Sequence, residues 1–124
     1  MAQNQSKTLT RRVLFVETDP ALAGAYEQRL SLCGHNVMVC HQLDEAAHNL
    51  SASHFDAVVI DLRDCQDDGV ALVEAMRRAE GLNNTPVLFL VPPEVRVDSE
   101  KVTQLKAEQI VTQTTCCSRA TVQA

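Results

Sequence analysis

Two carboxylates stand where short apolar runs stop. Asp61 closes Ala57-Val58-Val59-Ile60, entered through Phe55-Asp56 and followed by Leu62, and Glu17 follows Val13-Leu14-Phe15-Val16. Runs this short and this rich in β-branched residues read as strands buried on both faces, the kind found in parallel sheets. A carboxylate at the exit of such a strand lies on the carboxyl edge, where open α/β sheets bind ligands. Taken singly, Asp61 is as well explained as a turn or helix-capping residue. Two strands ending alike favour a shared site.

The elements that must position this pair follow one another in a regular alternation. Residues 1 to about 11 are polar, without apolar periodicity, and are expected to be disordered. The first strand covers roughly 13–17. Asp19-Pro20 places an N-cap before a proline at the first helical position. The spacing of Leu22, Ala23, Tyr26, Leu30 and Cys33 predicts a helix with those residues on its apolar side, stopped by Gly34. Val37 to Cys40 form a second strand, and Asp44 opens a short helix carrying Ala46, Ala47 and Leu50. After the third strand and a polar loop, Asp68-Gly69 launches a third helix with Val70, Leu72, Val73 and Met76 inward. Val87 to Val91 make a fourth buried strand, halted by Pro92-Pro93. A mostly polar helix from about Asp98 to Ala107 rests on Val102 and Leu105, and Gln109 to Thr112 form a fifth strand. Such alternation implies an α/β domain, doubly wound around a five-stranded parallel sheet, with right-handed crossovers. The tail is too short for a full last helix, which implies a shortened form or a piece of something longer.

The chain has 124 residues, which suits one core and one domain, here residues 12–124. Apolar residues make up 45% but aromatics only 3%, so Val, Leu and Ala must fill the interior. A net charge of −5 without a basic stripe argues against nucleic acid as a partner of this segment. Nothing resembles a signal peptide or a membrane span, and the five Cys include no C-x-x-C pair, so reduced thiols in the cytoplasm are expected. The four His are scattered and read as surface or packing residues, not as a metal cage.

With these residues in place, the chain resembles the receiver domain of bacterial two-component response regulators, over roughly residues 11–117. The resemblance rests on Asp61 at the end of the third strand, on Asp68-Gly69 seven and eight positions later, and on Glu17-Thr18-Asp19-Pro20 after the first strand. It implies a flavodoxin-like (CheY-like) sheet of order 2-1-3-4-5 with a short or missing last helix. It also implies that Asp61 is the phosphoacceptor. Mg²⁺ would be held by Glu17, Asp61 and the backbone carbonyl of Arg63. A histidine kinase or another signalling protein would be the partner, with pairing through the fourth helix and fifth strand, where the short tail is expected to leave Val102 and Leu105 less covered than usual.

Several positions depart from the family pattern. Thr18 replaces the second acid of the metal pair, and Val91 the Ser or Thr that bonds the phosphoryl group. Ile110 stands where an aromatic rotates on activation, Gln113 where a Lys pairs with the phosphate, Thr114 where a Pro follows it, and Cys65 where the loop has a Pro. Octahedral Mg²⁺ sheds water reluctantly, so its binding is expected to be weak. Val91 can donate no hydrogen bond and Gln113 carries no charge, so a phosphoryl group would find little to distinguish two states of the domain. Arg63 reads as an ordinary hydrated loop residue; the alternative is that it folds over the acidic site and replaces the missing cation. Asp64 and Asp67 read as solvated charges.

Three functions compete. The expected one is a divergent receiver, a pseudo-receiver, acting in phosphorelay signalling through protein contacts with a weak or absent phosphate switch. The alternative is a conventional receiver, phosphorylated on Asp61 by a histidine kinase and controlling an output domain. A third, a flavodoxin-like enzyme or small-molecule binder, lacks a Gly-rich phosphate loop and a nucleophile–base pair, so no enzymatic activity is expected.

Overall fold

A computed structural model describes residues 10–63 and 65–112. Five parallel strands, β1 (Arg12–Val16), β2 (Asn36–Cys40), β3 (Ala57–Asp61), β4 (Val87–Val91) and β5 (Glu108–Val111), are ordered β2-β1-β3-β4-β5. The four helices among the described residues are α1 (Pro20–Leu32), α2 (Leu43–Ala52), α3 (Gln66–Arg78) and α4 (Ser99–Gln104). The expected doubly wound order is therefore the one observed. The disorder expected before residue 12 falls largely on residues 1–9, and the short last helix on residues beyond 112, all outside the described residues.

Strand alternation divides the core. Leu14, Val16, Val58, Ile60, Leu62, Val87, Phe89 and Val91 turn to one face, where they pack with Ala46, Leu50, Val73, Met76, Val102 and Leu105 from α2, α3 and α4. Phe15, Val59, Leu88 and Leu90 turn to the other, beneath α1, where Phe15 meets Tyr26 edge-on with ring centroids 5.1 Å apart. Asp19 caps α1 by accepting from Ala21 N–H at 2.9 Å, and Gly34 ends that segment with a φ of +92°, as its lack of a Cβ permits.

Several local expectations are corrected. Cys33, assigned to the apolar side of α1, is instead its exposed C-cap, one residue past the helix, and α1 buries only Ala23 fully. Ala47 is exposed as well; α2 rests on Ala46 and Leu50, and begins at Leu43 so that Asp44 lies in its first turn. α3 begins at Gln66, before Asp68, because Gly69 lies within its first turn and against β3. A Cβ there would stand 2.7 Å from Leu62 Cδ2 and 3.3 Å from Ile60 Cγ2. α4 ends at Gln104, short of the expected Ala107; Leu105 is its C-cap and Lys106 follows with a left-handed φ of +57°. Arg77 of α3 donates to Leu105 O at 2.7 Å and an ion pair joins Lys101 to Glu74, so Val102 and Leu105 are buried, not left open as a contact surface.

Candidate functional site

β1 and β3 are neighbours, with Val16 opposite Ile60, so Glu17 and Asp61 leave the sheet side by side at its carboxyl edge. Both are buried, at 1% and 6% exposure. Such burial of two acids is expensive unless each is hydrogen-bonded or protonated. Glu17 is pinned by its backbone, whose N–H donates to Cys40 O at 2.9 Å, while His41 Nδ1 lies 3.0 Å from the Glu17 carbonyl. One carboxylate oxygen, Oε2, accepts from Asp19 N–H at 3.2 Å; the other, Oε1, is buried without a partner. Burial, then the neighbouring Asp61 carboxyl, push the Glu17 pKa up to about 8, against the opposing pull of the Asp19 N–H. Burial of the two adjacent carboxyls therefore favours retention of a proton at Glu17 to a higher pH than is usual for a glutamate.

Asp61 is oriented by its own loop. Arg63 N–H donates to Asp61 Oδ1 at 2.9 Å, and the Cys65 thiol donates to the Asp61 carbonyl at 3.3 Å. Cys65 thus closes the turn where the family pattern has proline. The Arg63 side chain does fold over the acids, contrary to the hydrated loop residue expected of it. Its Nε lies 4.0 Å from Asp61 Oδ2 and its Nη1 lies 3.3 Å from Glu94 Oε2. Glu94 escapes sequence reasoning because nothing in its spacing, a lone acid after Pro92-Pro93, ties it to a loop 31 residues earlier. Asp67 is exposed in the first turn of α3, and Asp64 lies outside the described residues.

The remaining positions contrast with these. Thr18 is exposed beside the acids. Val91 is buried in the core and offers no donor, and Ile110, opposite Leu90, is 53% exposed. Gln113 and Thr114 lie outside the described residues, as do Cys116 and Cys117. Among the described residues no group of three or more His, Cys, Asp and Glu is arranged to hold a metal ion. Two adjacent carboxylates with one orphaned oxygen still fit a hydrated divalent cation, which needs oxygen ligands and tolerates retained water. They fit it poorly, because only two of the ligands carry charge.

Parallel five-stranded order and two buried acids at its carboxyl edge define the class: a flavodoxin-like domain with an acidic pocket at the end of β1 and β3. The model of the response regulator receiver domain matches residues 13–117, and the chain belongs to that family. A comparison with curated proteins finds no match. Among solved structures, the chain is similar to the chemotaxis protein CheY4 of Vibrio cholerae, at 20% identity and a TM-score of 0.71, covering 82% of this chain and 84% of that one. It is similar to the non-phosphorylated HemR receiver domain of Leptospira biflexa, at 28% identity and a TM-score of 0.69, covering 80% and 78%. A third is the receiver domain of the sensor histidine kinase PA1611 of Pseudomonas aeruginosa PAO1, with magnesium coordinated in its active site cleft. It shows 22% identity, a TM-score of 0.69, and coverage of 82% and 83%.

Proposed function

We propose that this receiver domain is a divergent one, which keeps the acceptor carboxylate and works mainly through protein contacts. The observation that carries the reading is the asymmetry of its carboxyl edge. Glu17 and Asp61 are buried together there, while the phosphate-reporting positions are the apolar Val91 and Ile110. In the proposed chemistry, Asp61 attacks the phosphorus of a kinase phosphohistidine. The new O–P bond forms as the N–P bond breaks, and the imidazole leaves and takes up a proton. Positioning and charge stabilisation are what the protein supplies to such a transfer. Glu17, Asp61 and the Arg63 carbonyl would hold Mg²⁺ weakly, as the magnesium-bearing receiver of the PA1611 kinase suggests by analogy. When bound, the ion neutralises charge on the phosphoryl oxygens.

The domain then acts as a signalling partner and not as an enzyme in its own right. Among the described residues no helix is long and apolar enough to cross a membrane, which supports a cytoplasmic role for this segment. Its negative charge supports a protein partner over nucleic acid. With Val102 and Leu105 buried, the candidate pairing surface contracts to β5, where Ile110 and Val111 are 53% and 64% exposed on an edge strand. The alternative, a conventional switch driven by phosphorylation of Asp61, is favoured by one observation: Arg63 brings a cation to the acceptor.

Intact-mass measurement after incubation with a small phosphodonor and Mg²⁺ tests the reading. Slow formation of a single phosphate adduct, absent from Asp61→Asn, is the expected result. An adduct that survives Asp61→Asn would overturn the acceptor assignment.

A further inference from the structure

We infer that Arg63 forms, with Asp61 Oδ2, a subsite for a tetrahedral oxyanion, and that Glu94 carries its occupation into the β4–α4 loop. This rests on the reading of Asp61 as the acceptor and goes beyond it. Two atoms at the acidic edge lack what their chemistry asks for. Arg63 Nε is buried without an acceptor, and its 4.0 Å from Asp61 Oδ2 is too long for a hydrogen bond. Glu17 Oε1 is buried without a partner beside them. A buried donor left unpaired is costly, and more so when it is charged. The gap between Nε and Oδ2 has the donor on one side and the acceptor oxygen on the other. A tetrahedral group attached to Oδ2 would place an anionic oxygen in it, where Nε–H can reach.

A guanidinium is suited to this because its donors are arranged in a planar fork that matches oxyanions in pairs. Arg63 thereby does what Val91 cannot, since a valine donates nothing. It also brings the positive charge that Gln113 lacks. The second half of the device is the tether. Nη1 is held by Glu94 Oε2 at 3.3 Å, and Glu94 directly follows Pro92-Pro93 at the end of β4. Glu94 is exposed and the loop from Pro92 to Asp98 leads into α4. An oxyanion at Asp61 competes with Glu94 for one guanidinium. The two states of the clasp differ in their contacts with the anion, which is the condition for a ligand to shift a population. The shift is read in the loop after β4 and not in β5, whose Ile110 has no polar group to respond.

The test uses beryllium fluoride with Mg²⁺ on the full chain, followed by fluorine NMR for affinity and by backbone amide signals for the response. Surface ion pairs contribute little to stability, so Arg63→Ala, Arg63→Lys and Glu94→Gln are expected to fold. Arg63→Ala should weaken fluoride binding about tenfold, equivalent to about 1.4 kcal/mol, and Arg63→Lys should recover part of it. Glu94→Gln should bind as well as the parent protein or better, yet lose the amide shifts at residues 95–97. Parent-like binding by Arg63→Ala, or unmoved signals at 94–97 in the parent protein, would overturn the subsite while leaving Asp61 as acceptor, provided Asp61→Asn abolishes the signal. No bound fluoride in any of these proteins would overturn the acceptor reading, and the subsite with it.

Discussion

The carboxyl edge of this sheet has two halves built on different principles. At β1 and β3, Glu17 and Asp61 are buried, and backbone donors fix one oxygen of each. At β4 and β5, the equivalent positions carry Val91, packed into the core, and Ile110, turned outward. Both halves share the same sheet and similar backbone geometry. The difference teaches that the two halves answer to different physics: polar burial at one place demands partners, whereas apolar residues at the other satisfy the core or face solvent and offer no polar group to a ligand.

The largest expected effect breaks the acidic half mechanically. Gly69 lets α3 lie against β3, and Gly69→Val would drive its Cβ toward Leu62, 2.7 Å away. Overpacking of this kind costs about 1–3 kcal/mol, and urea unfolding should find the variant at the upper end of that range. An unchanged midpoint would mean that α3 does not press on the strand that carries Asp61.

Glu17→Gln sharpens the same half through pH. The Glu17 pKa is raised in the folded protein to about 8 from an ordinary 4.5. Between these values the folded state holds a proton that the unfolded chain has released. Its contribution to stability is therefore complete below pH 4.5 and falls as pH rises through about 8. The amide, which never ionises, escapes that fall. Relative to the parent protein, Glu17→Gln should be near-neutral at pH 4 and clearly more stable at pH 9, the gain opening as pH rises from 4.5 to about 8. Denaturant titrations showing the same difference at both pH values would refute the buried, protonated acid.

Thr18→Asp adds the missing charge at the edge. Mg²⁺ titration by calorimetry should show about tenfold tighter binding, worth about 1.4 kcal/mol, because a charged oxygen replaces a neutral one. No gain would place residue 18 outside the metal's reach.

The smallest effect belongs to the other half. Ile110→Lys at an exposed edge position should change stability by less than about 0.5 kcal/mol. Sedimentation should nevertheless show weaker self-association, since a charge on an edge strand opposes pairing. Identical association by both proteins would exclude β5 as the contact.

Most of the fold was legible because its three central strands, β1, β3 and β4, are largely buried runs of Val, Leu, Ile and Phe. The acidic pair was legible for a related reason: Glu17 and Asp61 end such runs, so their edge follows from the alternation alone. What escaped was side-chain direction. Arg63 reads locally as a solvated residue, and only Glu94, brought near by the crossover from β3 to β4, holds it over the acids. The cover on Val102 and Leu105 escaped for the same reason, since Arg77 and Glu74 on α3 supply the ties. Cys33 misled because the helical spacing runs on by one residue past Leu32, where the helix ends and Cys33 serves as its exposed C-cap.

The central claim is that the acceptor half survives while the β5 reporter is lost. It is tested most directly by amide hydrogen exchange across residues 108–111, with and without a stable phosphoryl mimic on Asp61. The account predicts altered signals at Asp61 and in the loop carrying Glu94, with exchange in β5 unchanged. A change in protection spreading through Ile110 and Val111 would contradict it, and would make the domain a switch of the conventional kind.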